Sequence, residues 1–173
     1  MRARPVSCCF SGHRPSKLPW GGNENDPRCI ALKARLYDAV LAAYDEGYRH
    51  FICGMAQGCD MYFCETVLRL RQAHPEVSLE AAIPCPSQAD SWSEVQRQRY
   101  QTLLSHCDFE TMVQAEYTPD CMQRRNRYMV DHAALLIAVH DGLPGGTRRT
   151  IEYAMRRGLD IVDIPPITEE VKK

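Results

Sequence analysis

The 173-residue sequence has no long apolar run and no excess of one charge. Its longest apolar stretch, 133–139, is far shorter than the roughly 20 residues that a membrane-spanning helix needs. Met1–Pro5 leads into only a short apolar run, so we expect neither a secretory signal nor a membrane association. Lysine and arginine number 21 against 22 aspartates and glutamates, which gives a net charge of −1. This balance argues against a protein that coats a polyanion with its whole surface.

The nine cysteines include no Cys-x-x-Cys pair, which is the usual spacing of a structural zinc site. Their number is odd, and Cys8, Cys9 and Cys53 lie inside apolar runs. This usage is typical of reduced, buried thiols in a cytoplasmic protein. We therefore expect a cytoplasmic chain that needs neither a metal nor a cofactor.

Short apolar runs alternate with helical patterns along the chain, whose composition is that of a globular protein, with 45% apolar residues. Helices are predicted between six strands, at Val6–Phe10, His50–Cys53, Leu79–Ile83, Phe109–Val113, Leu135–His140 and Ile161–Ile164. The first helix is predicted to start at Pro27 with Asp26 as its N-cap, the third at Ser91 and the last at Arg148. This alternation predicts a three-layer α/β/α sandwich with a mostly parallel sheet. We expect one domain over 1–166 and a short charged tail over 167–173.

Three of the loops that follow predicted strands combine glycine with polar residues. In open α/β sheets, ligands bind beyond the carboxyl ends of the strands, so these loops are the candidate site. The first loop contributes Gly12, His13 and Arg14. The second loop contributes Gly54, Gly58 and Asp60. Glycine allows close backbone approach and free amides can hold phosphate. A strand-ending turn and an ordinary helix cap are the alternative interpretations of these two loops.

The third loop follows the most apolar strand and leads into a helix. Gly145 and Gly146 expose amides there, and Thr147 adds a hydroxyl, which favours a phosphate site. The alternative is a tight turn in which Thr147 is the helix N-cap.

Two charged residues outside these loops are candidates for the same crevice. Arg125 lies early in a predicted helix, and arginine forms bidentate contacts with phosphate. Glu152 lies one turn into the last helix. For both residues the alternative is a solvated helix face.

These motifs together resemble the YspA/YpsA-like family of the SLOG superfamily. The resemblance covers Val6 to Ile164 and rests on Ser11-Gly12-His13-Arg14-Pro15, Gly54-x-x-x-Gly58-x-Asp60 and Gly-Gly-Thr147-x-x-Thr150-Ile151-x-Tyr153-Ala154. It implies a Rossmann-like fold that binds a nucleotide or nucleotide-derived ligand, as a sensor or ligand-binding protein. Phosphate is then expected on Gly145, Gly146 and Thr147.

An enzymatic alternative comes from the LOG phosphoribohydrolases of this superfamily, which cleave the N-glycosidic bond of nucleoside 5′-monophosphates. The sequence is similar to theirs at Arg125, Pro144, Gly145, Gly146 and Glu152, whereas Asn126 replaces a lysine and Arg148-Arg149 replaces Gly-Thr. The resemblance implies Arg125 and Glu152 as a catalytic pair. Glu152 would act on the sugar or on water, and Arg125 would orient phosphate or stabilise charge.

The loop from Gly54 to Asp60 also resembles the glycine loop of the DNA-processing protein A family, which binds single-stranded DNA on a similar fold. The near-neutral charge and the lack of interleaved aromatic and basic residues argue against a DNA channel. We therefore expect a small nucleotide-derived partner and not nucleic acid. The alternative is a nucleic-acid or protein interaction module with one basic surface, formed by Arg124, Arg127, Arg148, Arg149, Arg156 and Arg157. LOG relatives are commonly dimers, which suggests a homodimer here.

Overall fold

The computed structural model describes residues 7–168, in which six strands and five α-helices alternate and a short 3-10 helix, Pro15–Lys17, follows the first strand. The strands are β1 (Ser7–Gly12), β2 (His50–Cys53), β3 (Ser78–Ile83), β4 (Phe109–Met112), β5 (Leu135–Val139) and β6 (Asp160–Ile164). The helices are α1 (Pro27–Asp45), α2 (Cys59–Ala73), α3 (Glu94–His106), α4 (Cys121–Asp131) and α5 (Gly146–Arg156). The expected start of the first strand at Val6 and most of the expected tail lie outside the described residues.

The six strands form one sheet in the order β4-β3-β2-β1-β5-β6, and every pairing is parallel. This confirms the α/β, Rossmann-like sandwich expected from the sequence. The strand order reverses at β1, which pairs with β2 on one side and with β5 on the other. A crevice therefore opens at the carboxyl ends of β1 and β5, where the connections leave toward opposite faces of the sheet.

The alternation of side chains along the strands divides the core between the two faces of the sheet. One face packs Phe10, Phe51 and Ile137 against α1, α2 and α3, and Phe10 stacks on Phe63 at 4.6 Å. The other packs Ile52 and Leu136 against α4 and α5. No helix within residues 7–168 is long and apolar enough to cross a membrane. All nine cysteines are free thiols, and eight of them are buried.

Capping groups set the ends of the helices, and two starts differ from the sequence-based prediction. The Asp26 carboxylate accepts the Arg28 N–H at 2.9 Å and fixes the expected start of α1. Helix α3 begins at Glu94 and not at Ser91, because the Ser93 hydroxyl accepts the Gln96 N–H. Helix α5 begins two residues earlier than expected, because the Arg149 N–H already donates to the Gly145 carbonyl. Thr147 therefore lies in the first turn and is not the N-cap.

A buried carboxylate joins β2, β3, β4 and α4 on the second face of the sheet. Glu80 lies 2.7 Å from His50 Nε2 and accepts hydrogen bonds from the hydroxyls of Tyr128 and Thr111 at 2.6 and 2.9 Å. Burial alone would raise the pKa of Glu80, but the hydrogen bonds from these three side chains outweigh it and lower the pKa to about 2.

We expect Glu80→Gln to destabilise the fold at pH 7 by about 2 kcal/mol, because the charge-assisted hydrogen bonds are lost. The pKa of Glu80 is lower in the folded chain than the ordinary value it has in the unfolded chain, so the stabilisation is fully present above that ordinary value. It is lost as the pH falls towards 2. Chemical denaturation at several pH values measures this, with the exposed Glu116→Gln as control. Equal stability of Glu80→Gln and the parent at pH 7 would contradict the prediction.

Candidate functional site

A cavity of about 440 Å³ occupies the crevice between the ends of β1 and β5. Its walls come from the loop after β1, the start of α2, and the first turns of α4 and α5. These segments are far apart in the sequence and converge only because the strand order reverses at β1. The position is the one at which open parallel sheets bind ligands.

The loop after β1 is held rigidly against its neighbours. A Cβ atom at Gly12 would lie 2.6 Å from Cys59 Cβ, so only glycine allows β1 and α2 to approach this closely. The Asp141 N–H donates to His13 Nε2 at 3.1 Å, which links the loops after β1 and β5. Burial lowers the pKa of His13, while Asp141 partly opposes the shift. The imidazole is thus a neutral structural acceptor at pH 7.

Arg125 is the buried anchor of the cavity, with 4% of its surface exposed. Its Nη1 donates to the carbonyl oxygens of Gly54 and Ala82, at the ends of β2 and β3. Its Nε donates to Asn126 Oδ1 at 2.9 Å, which leaves the Asn126 amide N–H₂ as the free end of that side chain. Burial lowers the pKa of Arg125, and the nearby Asp60 opposes this, but a guanidinium stays charged in proteins.

The two glycines of the second loop lie behind the cavity wall and not on its surface. A Cβ atom at Gly54 would collide with the Arg125 guanidinium. Gly58 has φ +85°, and a Cβ atom there would lie 2.8 Å from the His13 carbonyl oxygen. The amides of this loop are also used internally, since the Cys59 N–H donates to His13 and the Ala56 N–H to Asp60. Gly54 and Gly58 thus shape the wall on which other residues lie.

Asp60 is the single carboxylate among the described residues that line the cavity. It lies in the first turn of α2, and 5% of its surface is exposed. Its Oδ2 accepts the Ala56 N–H at 3.0 Å. Burial raises the pKa of Asp60, while Arg125, the Ala56 N–H and Arg14 oppose the shift.

The N-terminus of α5 forms the opposite wall. In the described part of the chain, the N–H groups of Gly146, Thr147 and Arg148 have no hydrogen-bond acceptor. The Lys17 ammonium lies against Gly145, so close that a Cβ atom on residue 145 would collide with it. A cation is unfavourable at a helix N-terminus, because the helix dipole already places positive charge there.

Three cations at the mouth of the cavity have no acidic partner within residues 7–168: Arg14, Lys17 and Arg149. Arginines elsewhere on the surface are commonly paired, as in Arg71–Asp108, Arg99–Glu24, Arg124–Asp120, Arg148–Glu152 and Arg157–Asp131. Three exposed cations without an acidic partner among the described residues thus lie in the cavity whose wall also holds the free α5 amides. Together they give the cavity a positive potential that favours an anion.

The structure brings most of the residues predicted for the site into one cavity, namely Gly12, His13, Arg14, Asp60, Arg125, Gly146 and Thr147. Gly145 lies beside it, under Lys17. Glu152 does not join them: its carboxylate is half exposed and pairs with Arg148 at 3.2 Å, outside the cavity. The proposed pair of Arg125 and Glu152 is thus not assembled.

Sequence reasoning did not predict five polar residues that line the cavity, namely Ser16, Lys17, Gln123, Asn126 and Arg149. Lys17 carried the clearest signal, since it lies only three residues after Arg14 in a loop already singled out. Its contact with Gly145, however, joins positions 128 residues apart, which only the sheet order brings together.

Two solved structures share this fold. The DNA processing protein A of Streptococcus pneumoniae superposes with a TM-score of 0.61 at 13% identity, covering 96% of this chain and 54% of that protein. The Helicobacter pylori protein of the same name gives a TM-score of 0.61 at 13% identity, covering 92% of this chain and 65% of that one. This chain therefore spans just over half the length of the Streptococcus pneumoniae protein and just under two thirds of the length of the Helicobacter pylori protein.

The expectation that nucleic acid is not a partner is wrong in the light of these structures. The Helicobacter pylori protein is described by its single-stranded DNA binding mode, so this fold supports such binding there. The expectation failed because it relied on the charge of the whole chain. A net charge of −1 averages over paired surface charges and conceals a cavity lined by four cations and one carboxylate.

Comparison of the sequence with those of known proteins identifies its family. The SPbeta prophage-derived protein YoqJ of Bacillus subtilis is 32% identical over 145 residues, which are 76% of this chain and 84% of that protein. A UPF0398 protein of Halalkalibacterium halodurans is 27% identical over 129 residues, 73% of this chain and 68% of that protein. The model of the YspA SLOG family matches residues 8–158, which include every residue of the cavity. The chain therefore belongs to the YspA SLOG family.

Proposed function

We propose that this protein binds a nucleotide or nucleotide-derived ligand, with its phosphate at the N-terminus of α5. The observation that supports this most strongly is the position of Lys17, whose ammonium lies against Gly145, the N-cap of a helix whose first three N–H groups have no acceptor in the described part of the chain. Both groups are positive, so their proximity is unfavourable until an anion lies between them. A phosphate can accept from both at once.

Other residues of the cavity suit the rest of such a molecule. Arg14 and Arg149 lie at the mouth and can reach further phosphate oxygens. The Asn126 amide N–H₂ is aimed by the hydrogen bond that its oxygen accepts from Arg125. A cavity of about 440 Å³ lies in the range of small-molecule sites.

Gly146→Asp tests the phosphate position. A Cβ atom at residue 146 meets only Gln123 Nε2, at 3.7 Å, so the side chain fits. A carboxylate in the first turn of α5 interacts favourably with the helix dipole, so the melting temperature of the variant should equal that of the parent or rise slightly. It also repels phosphate, and we expect nucleoside 5′-monophosphates to bind at least ~10-fold more weakly by calorimetry.

Two controls separate charge from shape in this experiment. Gly146→Asn has nearly the same size without the charge, and we expect it to bind close to the parent. Gly22→Asp adds the same charge at an exposed glycine with open space around it, and we expect no change. Unaltered binding by Gly146→Asp would refute the phosphate position.

Single-stranded nucleic acid is a second candidate ligand of the same cations. It is supported by the fold shared with the Helicobacter pylori protein and by the three unpaired cations at the mouth. The larger set of arginines on α4 and α5 supports it less, because Arg124, Arg148 and Arg157 are each paired with a carboxylate.

Salt dependence of binding to a thymidine oligonucleotide tests this candidate. Three phosphate contacts predict that log K falls with log salt with a slope of about −2, at ~0.7 per phosphate. Arg149→Ala should reduce the magnitude of this slope by ~0.7. Arg97→Ala, an exposed arginine of α3 outside the cavity, should leave it unchanged. Equal slopes for both variants would contradict DNA binding at the cavity.

The phosphoribohydrolase alternative requires Glu152 near the sugar, and its carboxylate instead lies outside the cavity with Arg148. We therefore expect Glu152→Gln to leave nucleotide binding unchanged, and to leave any release of free base from nucleoside 5′-monophosphates unchanged. Chromatography of the free base measures the latter. A selective loss of base release in Glu152→Gln, with binding kept, would instead establish the alternative.

A further inference from the structure

We infer that Asp60 is a specificity residue that accepts a hydrogen bond from a sugar hydroxyl of the ligand, so that the cavity selects ribose over deoxyribose. The inference rests on the proposed function and deepens it, since it names the residue that would contact the sugar of the ligand, at the end away from the phosphate. It starts from a buried carboxylate that faces a cavity lined by cations but pairs with none of them.

The hydrogen bonds of Asp60 leave one oxygen for a ligand. Oδ2 accepts the Ala56 N–H at 3.0 Å, and this bond fixes the orientation of the carboxyl group. No described residue donates to Oδ1, although 95% of the residue's surface is buried and its side chain lines the cavity. Oδ1 is therefore an acceptor of fixed orientation that opens onto the cavity, where a donor from the ligand can bind to it.

The chemistry of a carboxylate decides what Asp60 can contact. It repels phosphate, so it cannot share the anion held by α5 and Lys17. It accepts from hydroxyl or amine donors. Arg14 and Arg125 lie close enough to influence its charge and make a cationic ligand group unfavourable beside it. A neutral hydroxyl group fits both conditions, because it can donate a hydrogen bond to the carboxylate and carries no positive charge.

The sheet order separates the two ends of the site. Asp60 follows β2, and the free amides of α5 follow β5, with β1 between them. Two inter-strand spacings are about 10 Å, which is the lateral distance available between the two walls. A sugar phosphate, with its phosphate towards α5 and its ring hydroxyls towards α2, has the length to span this distance.

Ribose 5-phosphate and 2-deoxyribose 5-phosphate are the probes, because they differ by a single hydroxyl and carry no base. Calorimetry of the parent protein with each probe should show ribose 5-phosphate binding at least ~10-fold more tightly, since a hydrogen bond to a charged group is at stake. The nucleoside 5′-monophosphates and their 2′- and 3′-deoxy forms then show which hydroxyl is recognised.

Asp60→Asn provides the second measurement. The amide oxygen can keep the bond to Ala56, but its N–H₂ then turns a donor towards the cavity, so the ribose preference should fall to within ~2-fold. Glu80→Gln is the matched control, because it also converts a buried acid to an amide, but outside the cavity. At temperatures at which Glu80→Gln is still folded, it should prefer ribose 5-phosphate as strongly as the parent protein does.

The outcomes separate this inference from the proposed function. If the sugar phosphates and nucleotides bind but the ribo and deoxy forms bind equally to the parent protein, the role of Asp60 is refuted and the phosphate site stands. If neither sugar phosphates nor nucleotides bind, both are refuted. A ribose preference that persists unchanged in Asp60→Asn would assign the recognition to another residue and overturn the inference.

Discussion

The buried guanidinium of Arg125 is the interaction on which the rest of the site depends. Removing a charged group from water is costly, and the cost is offset here by carbonyl oxygens at the ends of β2 and β3 together with the Asn126 side chain. These bonds fix the first turns of α4 over the carboxyl edge of the sheet. The same guanidinium lies near Asp60 and favours its charged form. One buried cation thus positions a cavity wall, orients an amide donor and influences the only carboxylate that lines the cavity within residues 7–168.

Close packing against buried side chains explains two glycines that the sequence alone associates with phosphate. A Cβ atom would collide with Cys59 Cβ at Gly12 and with the Arg125 guanidinium at Gly54, whereas at Gly145 it would meet only the end of the flexible Lys17 side chain. Gly146 differs, because a Cβ atom there meets nothing closer than 3.7 Å. A glycine-rich loop therefore serves two purposes in this fold, and only the measurement of space around each position distinguishes them. At Gly12 and Gly54 the glycine admits a protein group, whereas at Gly146 it leaves an amide open.

The fold could be predicted from the sequence because its signals are local. The alternation of short apolar runs with capped helices, such as the one that starts at Asp26, is encoded within about 20 residues at a time. The candidate loops followed from the same pattern, since each lies at the end of a strand. What could not be predicted depends on the sheet order. The contact of Lys17 with Gly145 and the separation of Glu152 from Arg125 are set by which strands are neighbours and by which face of α5 turns inward. The start of α5 was missed for a smaller reason, because the Gly145 carbonyl accepts a helical hydrogen bond two residues before the periodic pattern begins.

The positions of the two carboxylates in and near the cavity agree better with the proposed binding function than with the hydrolase alternative. Cleavage of an N-glycosidic bond uses a carboxylate at the sugar to act on water or on developing positive charge. The carboxylate that resembles the hydrolases in sequence, Glu152, is neutralised by Arg148 on the outer side of α5. The carboxylate that does face the cavity, Asp60, is anchored by a main-chain N–H and flanked by cations, which favours a fixed acceptor. The cations at the mouth are exposed, while Asp60 and Arg125 at the back are buried and bonded to the backbone. Under the proposed function, the cations would select the anionic end of a ligand by charge, and the buried groups would select the other end by hydrogen bonds of fixed geometry.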